Sequence, residues 1–145
     1  MDRIGFYTDK SQLDGTGYIE FSPGIYSGKH WQDGCIFFDE ESYYYIEKII
    51  EKNVPGYDFY EMNDADSVAW SAIIRDLNKL IKVLEIATKF DQLDGSIGFR
   101  YSNTKSNFES NFEKSRQDLL KMIKGLVLWA KPKLEMHGAI AILGL

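Results

Sequence analysis

One amphipathic pattern, which runs from Asp64 to Ala87, constrains the fold of this chain more than any other segment. Its apolar residues recur at intervals of three and four, the spacing of one face of an α-helix. Asp64, Asp66 and Ser67 are residue types that cap helix N-termini. A stripe this wide has to be buried, so we predict a long central helix that the other elements cover. Its buried face is predicted to comprise Trp70, Ile73, Ile74, Leu77, Leu80, Ile81 and Leu84.

Two further segments have helical spacing. Asp39 is predicted to cap a helix over about residues 40–52, which can bury at most two of its three consecutive tyrosines, residues 43–45. A third helix is predicted over about residues 105–130, and Pro132 is expected to end it. The buried face of the first of these helices is predicted to be Tyr45, Ile46, Ile49 and Ile50.

Short alternating or apolar runs, separated by turn dipeptides, predict strands near both ends of the chain. Residues 3–8, 17–22, 25–27 and 35–38 indicate a meander of three or four antiparallel strands. Residues 96–102 and 139–143 predict two more strands, the last of them buried. The sequence therefore predicts one α+β domain over residues 1–145, with an antiparallel N-terminal meander, about three amphipathic helices and a C-terminal strand.

Length and composition fit one globular domain. The chain has 145 residues, of which 44% are apolar and 14% aromatic. Cys35 is the only cysteine, so no internal disulfide can form. We expect no secretory signal, because no long apolar run follows the N-terminal charges, and no membrane span, because no apolar run reaches about 18 residues. The expected location is the cytoplasm.

The charge of the chain is unevenly distributed. The net charge of −5 disfavours a general nucleic-acid-binding protein. Nine of the 22 acidic residues, and only two lysines, lie in residues 39–66. By contrast, residues 67–145 contain twelve basic and eight acidic residues. The negative charge is therefore concentrated in about one fifth of the chain.

No motif predicts catalysis, a cofactor or a metal site. His30 and Cys35 are five residues apart, but further ligands at characteristic spacing are missing from the sequence. Cys35 begins an apolar strand, where burial would raise the thiol pKa and leave the thiol inert. Residues 15–17 form a short glycine turn without the spacing of a phosphate-binding loop. We therefore expect a binding protein and not an enzyme.

The acidic stretch has two interpretations. A solvated helix face with capping carboxylates is the simpler one. The other is a docking surface for a cationic partner, in which acidic residues speed association and neighbouring tyrosines pack against the partner. The predicted partner interface consists of Asp39, Glu40, Glu41, Tyr43, Tyr44, Glu47, Glu51, Tyr57, Asp58, Glu61 and Asp64.

Three segments together resemble a known class of protein: GTGYIEFSPGIYSGKHW, DGCIFFDEESYYYIEKIIEK and the helix around Trp70. The chain resembles the small immunity proteins of bacterial polymorphic toxin systems, including those of contact-dependent growth inhibition. The resemblance implies an antitoxin without catalytic residues that binds a cognate toxin domain, commonly a basic nuclease, in the cytoplasm. The acidic stretch would then mask the active site of the toxin or an adjacent surface.

Two alternatives remain open at this point. The aromatic residues of the N-terminal meander could form the pocket of a small-ligand or peptide-binding module. The scattered carboxylates could instead serve a hydrolase or transferase, which requires two convergent acids with perturbed pKa values in a cleft. The aromatic residues of the first alternative are Phe6, Tyr7, Tyr18, Phe21, Tyr26 and Trp31.

Overall fold

A computed structural model describes residues 4–145 and confirms an α+β domain. The strands of this part of the chain form one antiparallel sheet in the order β2-β1-β4-β3. They are β1 (Tyr18–Pro23), β2 (Ile36–Asp39), β3 (Met62–Asn63) and β4 (Ile140–Leu143). The predicted C-terminal strand is confirmed, and β4 is buried in the middle of the sheet between β1 and β3.

The helices are α1 (Glu40–Asn53), α2 (Ser67–Ile86), α3 (Ser102–Ser110) and α4 (Phe112–His137). The first two agree with the sequence prediction, including their caps. The Asp39 side chain accepts a hydrogen bond from the Ser42 backbone N–H at 2.8 Å, and Asp66 accepts one from the Ala69 N–H at 2.9 Å. Within residues 4–145, none of the helices combines the length and apolar character that crossing a bilayer requires.

The core forms where α2 packs against the sheet. Trp70 is fully buried, and its ring meets that of Phe21 on β1 edge-on, with centroids 5.8 Å apart. The indole Nε1–H donates a hydrogen bond to the backbone carbonyl of Ile140 on β4 at 2.9 Å. Ile73 and Leu77 continue the buried stripe that the sequence predicts. One side chain of α2 thus contacts two central strands from distant parts of the sequence.

The predicted N-terminal meander is wrong in part. Residues 4–8 form no strand and contribute one bridge, in which Tyr7 and Phe37 exchange backbone hydrogen bonds of 2.8 and 2.9 Å. Residue 3 lies outside the described residues, and residues 25–27 lie in the connection between β1 and β2. The second edge of β1 pairs instead with β4. A local pattern cannot identify this partner, because it comes from the other end of the chain.

The predicted strand over residues 96–102 is also wrong. This segment is a connection that leads into α3. Its alternating apolar residues are used for packing: Ile97 is buried, and the ring of Phe99 contacts Tyr45 and Phe108 at 5.6 Å between centroids. The alternation therefore reflects burial against helices and not strand pairing.

The predicted third helix is two helices, and it extends past its proline. Asn111 interrupts the helix between α3 and α4, and Pro132 lies inside α4. This helix ends at His137, and the next residue, Gly138, adopts the left-handed conformation. A proline in a helix removes the hydrogen bond to the carbonyl four residues earlier. Here that carbonyl belongs to Leu128, whose side chain is 73% exposed, so water can solvate this face of the helix. An exposed position explains why the proline does not end α4.

Replacing Trp70 tests the link between α2 and β4. Trp70→Phe leaves the buried Ile140 carbonyl without its donor, so we expect a loss of about 1–3 kcal/mol in the free energy of unfolding. Urea unfolding followed by circular dichroism measures this loss. Trp129→Phe is the matched control, because Trp129 is only partly buried and donates no side-chain hydrogen bond within residues 4–145. Equal losses in the two variants would contradict the role of this hydrogen bond.

Candidate functional site

One side of α1 brings acidic and aromatic residues together. Glu40, Tyr44, Glu47 and Glu51 are separated by four, three and four residues, so they share a helix face. The turn that precedes β3 packs beside this face, where the rings of Tyr44 and Phe59 lie 5.7 Å apart. The ring of Tyr60 lies 5.0 Å from that of Phe59. We name as the acidic–aromatic face the set Glu40, Tyr44, Glu47, Glu51, Tyr57 and Tyr60.

A chain of hydroxyl groups connects this face to the core. The Tyr57 hydroxyl donates a hydrogen bond to Glu47 Oε2 at 2.9 Å. Its oxygen lies 2.7 Å from the hydroxyl of Tyr43, which is fully buried. Because Tyr57 uses its proton for Glu47, Tyr43 donates to Tyr57. The Glu47 carboxylate is therefore held in place from inside the protein.

The electrostatics at Glu47 are unfavourable in the isolated chain. Burial raises the pKa of Glu47, and the neighbouring charge of Glu51 raises it further, against the opposing effects of the Tyr57 hydrogen bond and Arg100. Burial also raises the pKa of Tyr57, so that side chain remains a proton donor. Neither Glu47 nor Glu51 forms an ion pair with any residue from 4 to 145. The site is thus a half-buried Glu47 beside an exposed Glu51, without a resident cation in this part of the chain.

One end of the face already holds a guanidinium. Arg100 Nε lies 2.7 Å from Glu40 Oε2, and its guanidinium carbon lies 5.2 Å from the centroid of the Tyr44 ring. A second tyrosine, Tyr101, lies 5.1 Å from the same carbon. The chain thus shows that a carboxylate and a tyrosine one turn apart on α1 can bind an arginine.

A glycine makes this arrangement possible. A Cβ atom on Gly98 would lie 2.7 Å from the backbone carbonyl oxygen of Tyr44, closer than packed atoms allow. The Gly98 N–H points to the same helix and donates to the Tyr45 carbonyl at 3.4 Å. The absence of a side chain lets residues 97–101 lie directly on α1, which places Arg100 over Tyr44.

The other residues of the predicted interface are dispersed. Asp39 caps α1, and Glu41 lies on a different side of the helix, where it lines a cavity of about 220 Å³ with α3 and α4. Asp58 accepts a hydrogen bond from the Tyr60 N–H, and Asp64 accepts one from the Tyr26 N–H. The first bond orders a local turn, and the second attaches the connection between β1 and β2 to the segment after β3. Glu61 is exposed beside β3.

The predicted role of Tyr43 as a partner-contacting residue is wrong. The sequence predicts that it packs against a partner, but its side chain is fully buried, so it contributes only through its bond to Tyr57. Burial of Tyr43 and Tyr45, with Tyr44 half-exposed, confirms that α1 buries two of its three tyrosines. Sequence reasoning left Tyr60 and Arg100 out of the site. Tyr60 follows Tyr57 by three residues, whereas nothing local links Arg100 to α1.

The aromatic residues named for the small-ligand alternative lie in two separate places in the structure. Phe21 is in the core, and Phe6 packs on Phe38 with ring centroids 5.3 Å apart. Tyr18 and Trp31 instead line a pocket of about 290 Å³ on the opposite side of β1, together with Glu20 and His30. Alternation along β1 separates the two groups.

A buried carboxylate organises the loop beside that pocket. Glu20 is 3% exposed and accepts a hydrogen bond from the Trp31 N–H at 2.9 Å. His30 Nδ1 lies 3.4 Å from the other carboxylate oxygen. Trp31 has a φ of 63°, a left-handed conformation that the Glu20 contact helps to maintain. Burial raises the pKa of the nearby Cys35 thiol to about 12, so the thiol stays protonated near neutral pH.

No protein-family model, curated protein or solved structure matches this chain. These comparisons neither support nor contradict the resemblance to immunity proteins. The assignment of a function therefore depends on the geometry of the acidic–aromatic face.

Gly98→Ala tests how the site is assembled. The new methyl group would collide with the Tyr44 carbonyl, and we expect a loss of about 1–3 kcal/mol in the free energy of unfolding. Gly17→Ala is the control, because a Cβ atom there meets nothing within 4 Å. Urea unfolding compares the two variants. If they are equally stable, the close approach of residue 98 to α1 is not a constraint.

The pH dependence of stability tests the environment of Glu47. Its pKa is raised in the folded chain, so the stability that this group contributes is complete at low pH and is lost as pH rises through the folded pKa. Glu47→Gln keeps an acceptor for Tyr57 and removes this loss. We expect the variant to gain stability relative to the wild type as pH rises from about 4 to about 7.

Urea unfolding at several pH values measures this difference. Glu109→Gln, which removes an exposed carboxylate from α3, controls for the loss of one negative charge. A stability difference between Glu47→Gln and the wild type that does not change with pH would contradict the raised pKa.

Proposed function

We propose that this chain is a cytoplasmic immunity protein that binds a cationic toxin domain through the acidic–aromatic face and masks it stoichiometrically. The toxin is proposed to be a basic nuclease. The observation that carries the proposal is the state of Glu47: a half-buried carboxylate, fixed by Tyr57, beside Glu51 and without a resident cation within residues 4–145. A partner's lysine or arginine would relieve the cost of holding these two charges together.

The fixed position of Glu47 favours tight binding. Ordering a side chain at an interface costs free energy, and part of that cost is met when the free protein already holds the side chain in place. The carboxylate also needs less desolvation on binding, because the fold has already half-buried it. A preformed carboxylate therefore supports a high affinity for a cationic group.

The aromatic residues support a protein partner. Tyr60 is 66% exposed and lies next to the half-buried Tyr44. Tyrosine is enriched among the residues that contribute most to binding at protein interfaces. From Glu40 to Glu51 the face extends about 16 Å along the axis of α1. This extent suits a patch of protein surface better than a small cation.

The negative charge of the acidic–aromatic face further limits the class of protein that can bind it. Carboxylates at this face repel nucleic acid and attract a basic protein, and they raise the rate at which such a protein associates. A nuclease presents basic surface because its substrate is a polyanion. The acidic–aromatic face is therefore complementary to the substrate-binding surface of such a toxin.

A second candidate function draws on the same residues. The raised pKa of Glu47 beside a second carboxylate favours a proton-transfer role in a hydrolase or transferase. The two candidates differ in what Glu47→Gln does. An enzyme would lose turnover of its substrate, whereas an immunity protein would bind its toxin more slowly and remain stoichiometric.

The proposal predicts electrostatically accelerated binding to the toxin domain encoded immediately upstream in the genome. Stopped-flow association rates are compared between the wild type and the double variant Glu47→Lys/Glu51→Lys. We expect the variant to associate about tenfold more slowly or worse at low salt, and the wild type to slow as salt increases. Glu51→Lys alone, which leaves the Tyr57–Glu47 bond intact, should show a smaller effect in the same direction.

Glu109→Lys/Glu135→Lys is the matched control, because it changes the net charge equally at exposed sites on α3 and α4. Circular dichroism establishes that every variant is folded. The proposal is wrong if the control slows association as much as the double variant at α1, or if the wild type does not bind this domain at any salt concentration.

A further inference from the structure

A cleft lies on the other flank of α1. It is an open cleft with a volume of about 280 Å³, lined by residues of α1 and α2 and by Gly95 and Ser96 of the turn that follows residue 94. Ile49, Leu80 and Val83 supply its apolar lining. Its charged residues are Lys48 and Lys52 from α1, and Asp76 and Lys79 from α2. In a chain with a net charge of −5, this concentration of lysines requires an explanation.

Within residues 4–145, Asp76 is the one acidic residue that lines the cleft, and nearby cations already compensate its charge. Asp76 is 8% exposed and accepts a hydrogen bond from Asn53 Nδ2 at 2.9 Å. Lys52 Nζ lies 3.2 Å from one of its oxygens, and Arg75 Nε lies 3.5 Å from the other. The Asn53 hydrogen bond and Lys52 hold the pKa of Asp76 below its usual range. Asp76 therefore remains ionised and fully occupied by these partners.

The remaining polar groups of the cleft are solvent-exposed donors that bind no other residue between positions 4 and 145. Lys48 and Lys79 form no ion pair with any described residue. The Ser96 hydroxyl and the Gly95 backbone N–H make no hydrogen bond within residues 4–145. These donors come from α1, α2 and the turn after residue 94, and all of them border one cleft. Such a set suits an anion with several acceptor oxygens.

We propose that this cleft binds a small phosphorylated molecule. Lys48 from α1 and Lys79 from α2 contact its phosphate, and Ser96 and the Gly95 N–H complete the set of donors from the turn. The apolar residues Ile49, Leu80 and Val83 pack against the rest of the molecule. The volume is near the lower end of ligand pockets, about 300 Å³, so the ligand is a small phosphate ester and not a dinucleotide.

This site is independent of the proposed toxin-binding face. Lys48 directly follows Glu47, and Lys52 directly follows Glu51. A rotation of about 100° around the axis of α1 therefore separates the lysine pair from the glutamate pair. Lys48 and Lys52 line the cleft with α2, whereas Glu47 and Glu51 are not among its lining residues. Failure of one assignment therefore leaves the other intact.

Inorganic pyrophosphate is the first probe. Its binding to the wild type is followed by backbone amide chemical shifts in two-dimensional NMR, with sodium chloride used to keep the ionic strength constant. We expect saturable shifts centred on residues 48, 52, 79, 95 and 96. Lys48→Gln and Lys79→Gln should each weaken binding by about tenfold. Lys131→Gln is the matched control, because Lys131 is an exposed lysine on α4 outside the cleft.

Three outcomes would overturn this proposal. They are the absence of saturable shifts at millimolar pyrophosphate, shifts spread over lysines elsewhere in the chain, and an equal loss of affinity in Lys131→Gln and Lys79→Gln. Amide spectra without ligand establish that each variant is folded. Toxin binding by Lys79→Gln, measured in parallel, should match that of the wild type.

Discussion

The contact between Trp70 and β4 is the constraint on which the rest of the structure depends. The indole ring is fully buried and its N–H is bonded to the Ile140 carbonyl, so α2 is attached to the strand in the middle of the sheet. That strand comes from the last residues of the chain, and β1 beside it comes from the first quarter. The helix that the sequence predicts most clearly therefore packs against strands from both the N-terminal and the C-terminal parts of the chain.

The acidic–aromatic face follows from this core in two steps. First, α1 packs on α2 and the sheet with Tyr43 and Tyr45 inside, which fixes its rotation and directs Tyr44 and the flanking carboxylates outward. Second, the turn that carries Tyr57 and Tyr60 is attached to the end of β4. The Gly144 N–H donates to the Glu61 carbonyl at 3.0 Å, and the close approach of the Phe59 carbonyl there leaves no room for a side chain. Packing thus determines where the charges lie.

Sequence patterns predict those elements whose signal is local. The apolar stripe of α2, the Asp39 cap of α1 and the apolar run of β4 each identify an element within a few residues of its observed bounds. Predictions fail where the decisive contact is distant. The alternating residues 96–102 pack on helices, Pro132 is tolerated because its helix face is exposed, and β1 pairs with the far end of the chain.

In the candidate site, too, the sequence predicts the features with a local signal and misses those that depend on distant contacts. Charge counts find the acidic stretch, but they cannot separate Glu47 and Glu51 from Asp39, Asp58 and Asp64, whose carboxylates bond to nearby backbone N–H groups. That distinction depends on which side of α1 is buried. Arg100 and the lysine cleft are not visible in the sequence, because both depend on residues that meet only in the fold.

The most direct test is a hydrogen-exchange footprint of the chain in complex with the proposed cationic toxin domain. We expect slower amide exchange in residues 40–51 and 57–61, where the acidic–aromatic face lies, and little change along α4. Protection confined to α4, or to the loop between β1 and β2, would show that the partner binds elsewhere and would contradict the assignment of this face.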